Sequence, residues 1–211
     1  VEKSAQIRGL TIGEIRIGIS YRAYYPWLTK LVTGFVRQFP KITIHIQEGN
    51  SSGLVSAMEQ RRLDLCIISE REGEFSWIPL GENQVVAWLP PNHPYADKDS
   101  FPLRAVESEA YIETYPNQDT DYSRIFKLNN IKPNICFSTT DHFASYSMVE
   151  AGLGVSLHNG LSADGWTGNV VVKPLDPPQT VTVGIAAPSL KALSPGAKEF
   201  GAYTKAHFRD A

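Results

Sequence analysis

From Glu14 to Ile68 the apolar residues change period several times, and that rhythm leaves few architectures open. Ile15, Ile17 and Ile19 take every second position, as a strand with one buried face requires. Pro26 then opens a run in which Trp27, Leu28, Leu31, Val32, Phe35, Val36 and Phe39 recur at helical spacing. A proline in the first turn gives up no helical N–H bond, and Pro40 ends the run. Ile42, Ile44 and Ile46 alternate with Thr43, His45 and Gln47, a half-buried strand. A helix through Leu54, Val55 and Met58 follows, then a short apolar strand over 64–68. The order β-α-β-α-β predicts an α/β fold with a parallel sheet and covering helices.

The second half repeats this grammar. Strands are expected over 111–113, 134–138 and 154–157, and helices over 122–128 and 142–151, with Gly152 placed to end the latter in a left-handed conformation. At an offset of 90, Met58 matches Met148, Leu63 matches Leu153, and Ser51-Ser52 falls opposite Asp141-His142. The charged run 70–74 reads as a solvated loop. A strand over 84–89 runs into Pro90, Pro91 and Pro94, which suggest a crossing between two lobes. Late strands over 170–172 and 180–186 lead to a second crossing near Pro188, after which Ser194 and Pro195 cap a terminal helix. The expected division is therefore 13–89, 92–186 and a return over 188–211.

Composition excludes several functions. With 42 % apolar residues and a net charge of −2 over 211 residues, the chain is neither disordered nor basic enough to bind duplex DNA alone. No apolar segment approaches the roughly 20 residues needed to span a bilayer. The start has no apolar signal core and no initiating Met, so a cytoplasmic fragment is expected. Cys66 and Cys136 each lie in an apolar run and read as buried free thiols.

Catalytic motifs fail on inspection. Gly154-Val155-Ser156-Leu157-His158 lacks the second glycine of a nucleophile elbow, and Gly152-Leu153-Gly154 lacks the third glycine of a dinucleotide fingerprint. The five histidines have no metal-ligand spacing, so no metal, cofactor or catalytic residue is expected. Binding has more support, because ligands of open α/β sheets sit beyond the carboxyl ends of the strands. The segments there are Ser20-Tyr21-Arg22, Asn50-Ser51-Ser52, Ser69, Glu113-Thr114-Tyr115 and Thr139-Thr140-Asp141-His142. Ser51 or Ser52 at a helix start offers a hydroxyl and backbone N–H groups to a small anion. Taken singly, Ser51 and Asp141 read first as plain helix caps, and Arg22 reads equally as a charge partner for an acidic ligand or as a surface arginine. Both lobes converging on polar loops is what favours a ligand cleft.

Six segments in order carry a resemblance. They are 13–19, Phe35-x-x-x-Phe39-Pro40-x-Ile42-x-Ile44, Glu48-Gly49, 63–67, Pro91-Asn92-His93-Pro94, and Val149-Glu150-Ala151-Gly152-Leu153-Gly154-Val155. Together they resemble the effector-binding domain of LysR-type transcriptional regulators, over about residues 10 to 208. The resemblance implies two Rossmann-like lobes joined by two crossings, as in type II periplasmic binding proteins, with a small effector in the cleft. It maps effector contacts to Ser20, Tyr21, Arg22, Asn50, Ser51, Ser52, Ser69, Thr114, Tyr115, Thr139, Thr140, Asp141 and His142. It also implies a homodimer, or a tetramer at full length, with Trp27, Leu31, Phe35, Thr43 and His45 at the interface. DNA would be contacted only through an N-terminal winged helix-turn-helix, with 1–10 at most the end of its linker.

A small carboxylic acid or amino-acid-like effector is favoured, with no membrane partner. The alternatives are a solute-binding protein of a transport system and a cytoplasmic enzyme on the same fold, such as a prephenate dehydratase.

Overall fold

The computed structural model describes residues 12–21, 24–160, 167–189 and 193–207. Arg22 and the segment 1–10 lie outside them. The fold forms two compact units, Val1–Gly81 with Thr182–Ala211, and Glu82–Val181.

In the first unit β1 (Gly13–Ile19) runs parallel to β2 (Ile42–Glu48) and to β3 (Leu65–Ser69). The carboxyl-terminal part of β9 (Val171–Ala187) lies antiparallel to β3, pairing Cys66 with Ala186 and Ser69 with Val183. Alternation decides which helix covers which face. Ile15, Ile17, Ile19, Leu65 and Ile67 pack beneath α1 (Tyr25–Gln38) and α5 (Pro195–His207), against Leu28, Leu31, Phe35, Ala197 and Phe200. Cys66, Ile68 and Ala186 point the other way, into Leu54 and Met58 of α2 (Ser51–Glu59). Gly18 shares that second face, where a side chain would meet Cys66 Sγ and Leu63 at 2.9 Å and Leu54 of α2 at 3.0 Å, so glycine lets these groups pack closely on the strand.

In the second unit β6 (Tyr111–Thr114) is parallel to β7 (Ile135–Thr139), and Tyr111 pairs in parallel with Val155 at the entry to β8 (Ser156–Asn159). Within β4 (Ser76–Leu89), Val85 to Trp88 lie antiparallel to β8. The short β5 (Phe101–Pro102) pairs with β9 at Leu175 and Asp176. One face packs Val85, Ala87, Tyr111 and Leu157 against Ile125 and Phe126 of α3 (Asp121–Leu128). The other packs Val86, Trp88 and Ile112 against Tyr146 and Val149 of α4 (His142–Glu150). Gly152 follows α4 at φ +80°, the expected left-handed stop.

Three expectations differ. The units divide inside β4 and β9, at Gly81 and Val181, ahead of the proline-marked positions 89–92 and 186–188. The strands expected over 170–172 and 180–186 are one strand, because Pro174, Pro177 and Pro178 sit at exposed positions that need no ladder N–H. Cys136 is exposed rather than buried: β7 is an edge strand, and Ile135 and Phe137 are exposed with it.

Candidate functional site

Each unit gathers polar side chains where its parallel strands end and its helices begin. In the first, Asn50 caps α2, its Oδ1 accepting from Gly53 N–H at 2.7 Å. Ser51 is thereby not the cap expected from the sequence. Its buried hydroxyl turns toward β3, 3.3 Å from Ser69 Oγ, and also accepts from Ser69 N–H. Arg71 then ties the end of β3 to the start of α2. Its Nη2 donates to Ser69 Oγ and its Nη1 to Ser52 Oγ, both at 2.6 Å, while Nε donates to the Ser69 carbonyl.

Arg71 is absent from the sequence expectation, which placed it in a solvated loop. Glu72, Gly73 and Glu74 are indeed exposed, whereas Arg71 is half-buried. The arrangement sets a guanidinium beside a helix N-terminus. Both are sources of positive potential, and together they favour an anion. Ser20 is nearer the sheet, its N–H and Oγ both donating to the Ile67 carbonyl. Tyr21 is buried in the core against Tyr24.

In the second unit Asp141 caps α4, accepting from Ala144 N–H at 2.8 Å, and Thr139 Oγ1 accepts from Asp141 N–H. Tyr115 takes a left-handed φ of +56°, and its N–H donates to the Thr139 carbonyl. Its ring stands edge-on to His142. Thr114 is buried with no hydrogen-bond partner for Oγ1 among the described residues, and Thr140 is exposed.

His142 leads inward. Its Nδ1 lies 3.3 Å from Nδ1 of His158, which is fully buried and stacked on Trp88 at 3.4 Å. His158 Nε2 meets Ser145 Oγ, Ser145 donates to Ser156, and Ser156 donates to the Ile112 carbonyl. Burial, reinforced by the neighbouring His142, pushes the His158 pKa well below its ordinary value and keeps the ring neutral. His158, Ser145 and Ser156 also escaped the sequence reading. The available signal was the two-residue spacing of Ser156 and His158, which puts both on one face of β8.

Trp27, Leu31 and Phe35 belong to the core of the first unit, Phe35 with no exposed surface, while Thr43 and His45 are exposed on β2. No helix among the described residues is long and apolar enough to cross a membrane.

These features define a two-unit α/β domain with polar side chains gathered at the starts of its helices. The family model of the LysR substrate binding domain matches residues 8–209, and the chain belongs to that family. It is the effector-sensing domain of a LysR-type transcriptional regulator, not a solute-binding protein of a transport system. The chain is 26 % identical over 203 residues to the HTH-type transcriptional regulator YybE of Bacillus subtilis (strain 168), covering 94 % of this chain and 69 % of YybE. The effector-binding domain of QuiR, solved in complex with shikimate, aligns with a TM-score of 0.80 at 24 % identity, covering 94 % of this chain and 98 % of that one. The regulatory domain of CcmR from Synechocystis PCC6803, solved in complex with 2-PG, aligns at 0.82 with 20 % identity and the same coverage. At these identities the two structures speak for the fold, a type II periplasmic-binding-protein-like one.

Proposed function

We propose that this domain binds a small carboxylic acid or amino-acid-like effector and releases it unchanged. The observation that carries the reading is Arg71, held on Ser52 and Ser69 at the N-terminus of α2. A carboxylate there would meet the guanidinium and the helix N-terminus together, and a charge-assisted contact of this kind is stronger than a neutral one. Asn50, Ser51, Ser52 and Ser69 shape that site; Ser20, Tyr21 and Arg22 are further effector contacts that the family likeness suggests. Thr114, Tyr115, Thr139, Thr140, Asp141 and His142 are the effector contacts proposed in the second unit. An effector with different affinities for two arrangements of the domain shifts their populations, and that shift alters the geometry of the DNA-bound oligomer.

The working form is a cytoplasmic homodimer, tetrameric at full length, that touches DNA only through a helix-turn-helix part of the whole regulator. The exposed β2 edge, with Thr43, His45 and Ile46, and the exposed apolar β7 edge support pairing between copies, since open edges invite strand or side-chain contacts. Thermal shift and calorimetry over a panel of small acids test the proposal. At least one acid should bind the wild type and lose most of its affinity in Arg71→Ala, and be recovered chemically intact after incubation. Equal binding by both proteins would sink the anion site, and turnover of the acid would replace the sensor with an enzyme.

A further inference from the structure

The buried polar chain of the second unit has a direction. It ends on the Ile112 carbonyl, which can only accept. Ser156 Oγ donates to that oxygen at 2.8 Å, and this uses the one hydrogen of the Ser156 hydroxyl. Ser145 Oγ, 3.3 Å away, therefore donates to Ser156 and uses its own. His158 Nε2, 3.2 Å from Ser145 Oγ, must then carry a hydrogen and donate it. Because the enclosed His158 ring is neutral, its Nδ1 is an acceptor. His142 Nδ1, 3.3 Å from that atom, must supply the hydrogen. A histidine in water keeps its neutral hydrogen mainly on Nε2, so the chain imposes the less common form.

We infer that Ser156, Ser145 and His158 are positioning residues that hold His142 in its Nδ1–H form, so that His142 Nε2 accepts a hydrogen bond from a hydroxyl or ammonium group of the effector. This rests on the effector reading above and narrows it to an acid that also carries a donor group. His142 is the first residue of α4, half-buried beside Tyr115, at the carboxyl ends of β6 and β7. Its tautomer is set from the core, through groups that touch no ligand.

The assignment can be tested without a ligand. Long-range proton–nitrogen spectra of the 15N-histidine-labelled chain at pH 8, assigned with His142→Gln and His158→Gln, report which nitrogen of each ring is protonated. The expected pattern is hydrogen on Nδ1 of His142 and on Nε2 of His158; the reverse on either ring, or an even mixture, overturns the inference. In Ser156→Ala the Ser145 hydrogen is released to turn toward His158. The tautomer ratio of His142 should then fall by about tenfold, the worth of roughly one hydrogen bond. Ser156→Thr, which keeps the hydroxyl, should restore it. An unchanged ratio in Ser156→Ala removes the chain from the explanation.

For the ligand half, calorimetry compares lactate with propionate, malate with succinate, and shikimate with 1-cyclohexenecarboxylate. Where a pair binds, the hydroxylated member should be preferred by about tenfold, and His142→Phe should bring the pair near parity. A preference that survives His142→Phe overturns the assignment of Nε2. Expected tautomers with no binding by any probe would instead count against the acidic effector proposed above.

Discussion

In the first unit β2, β1 and β3 run parallel, and β9 returns antiparallel beside β3. In the second, β7 and β6 run parallel with the entry to β8, and β4 returns antiparallel beside β8. The helix after the second strand starts at an equivalent place in each, capped by Asn50 in one and by Asp141 in the other. The chemistry behind the two caps is different. Behind α2 the serines converge on a guanidinium, whereas behind α4 they converge on a neutral imidazole. The wiring is thus repeated while the polar chemistry behind the caps is not. Three or four side chains per unit carry the distinction.

That comparison can be broken from the cores outward. Phe35 and Trp88 are large, fully buried aromatics, one in each unit, and Phe35→Ala or Trp88→Ala should each cost about 3–5 kcal/mol in urea unfolding. If hydrogen exchange shows each loss spreading evenly over both units, the units are not separate cooperative bodies. Arg71→Ala comes next. It should weaken a bound acid by at least about thirtyfold, because it removes one partner of a charge-assisted pair. It should leave the second unit's spectra unchanged.

A pH series then separates the units by titration. His158 is held neutral in the fold but is free to protonate once unfolded, so below its ordinary value of 6.5 the unfolded state binds more protons. Stability should be full above about pH 6.5 and fall as the pH drops, by up to about 1.4 kcal/mol per unit for this one group. His158→Gln should flatten the slope. The smallest effect concerns the caps: Asn50→Ala and Asp141→Ala should each cost about 1 kcal/mol by thermal or urea unfolding. A large inequality between them would show that the two helix starts are not equivalent.

Periodicity made much of this architecture legible. Isoleucines at every second position in β1 and the helical phase of Leu28, Leu31 and Phe35 mark buried faces wherever they occur, because local geometry alone produces them. The places that stayed hidden depend on what lies alongside. Ile135-Cys136-Phe137 has the composition of an interior strand, and only its position at a sheet edge leaves it exposed. Pro174, Pro177 and Pro178 look like a break because a strand's tolerance for proline depends on which N–H groups its neighbours need. The site divided in the same way. Asp141 announced itself as a cap, while Arg71 lay in a run of glutamates whose sequence gives no sign that its side chain folds back onto Ser52 and Ser69.

The two thiols give the molecule an in-built handle for measurement. Burial lifts the Cys66 pKa to about 12, which leaves almost no thiolate to react at neutral pH. Cys136 stands exposed on β7. A thiol-directed fluorophore should therefore attach once per chain, at a known position in the second unit, without any cysteine being removed. Its emission would report on effector binding and on the approach of another copy to that edge in the same titration.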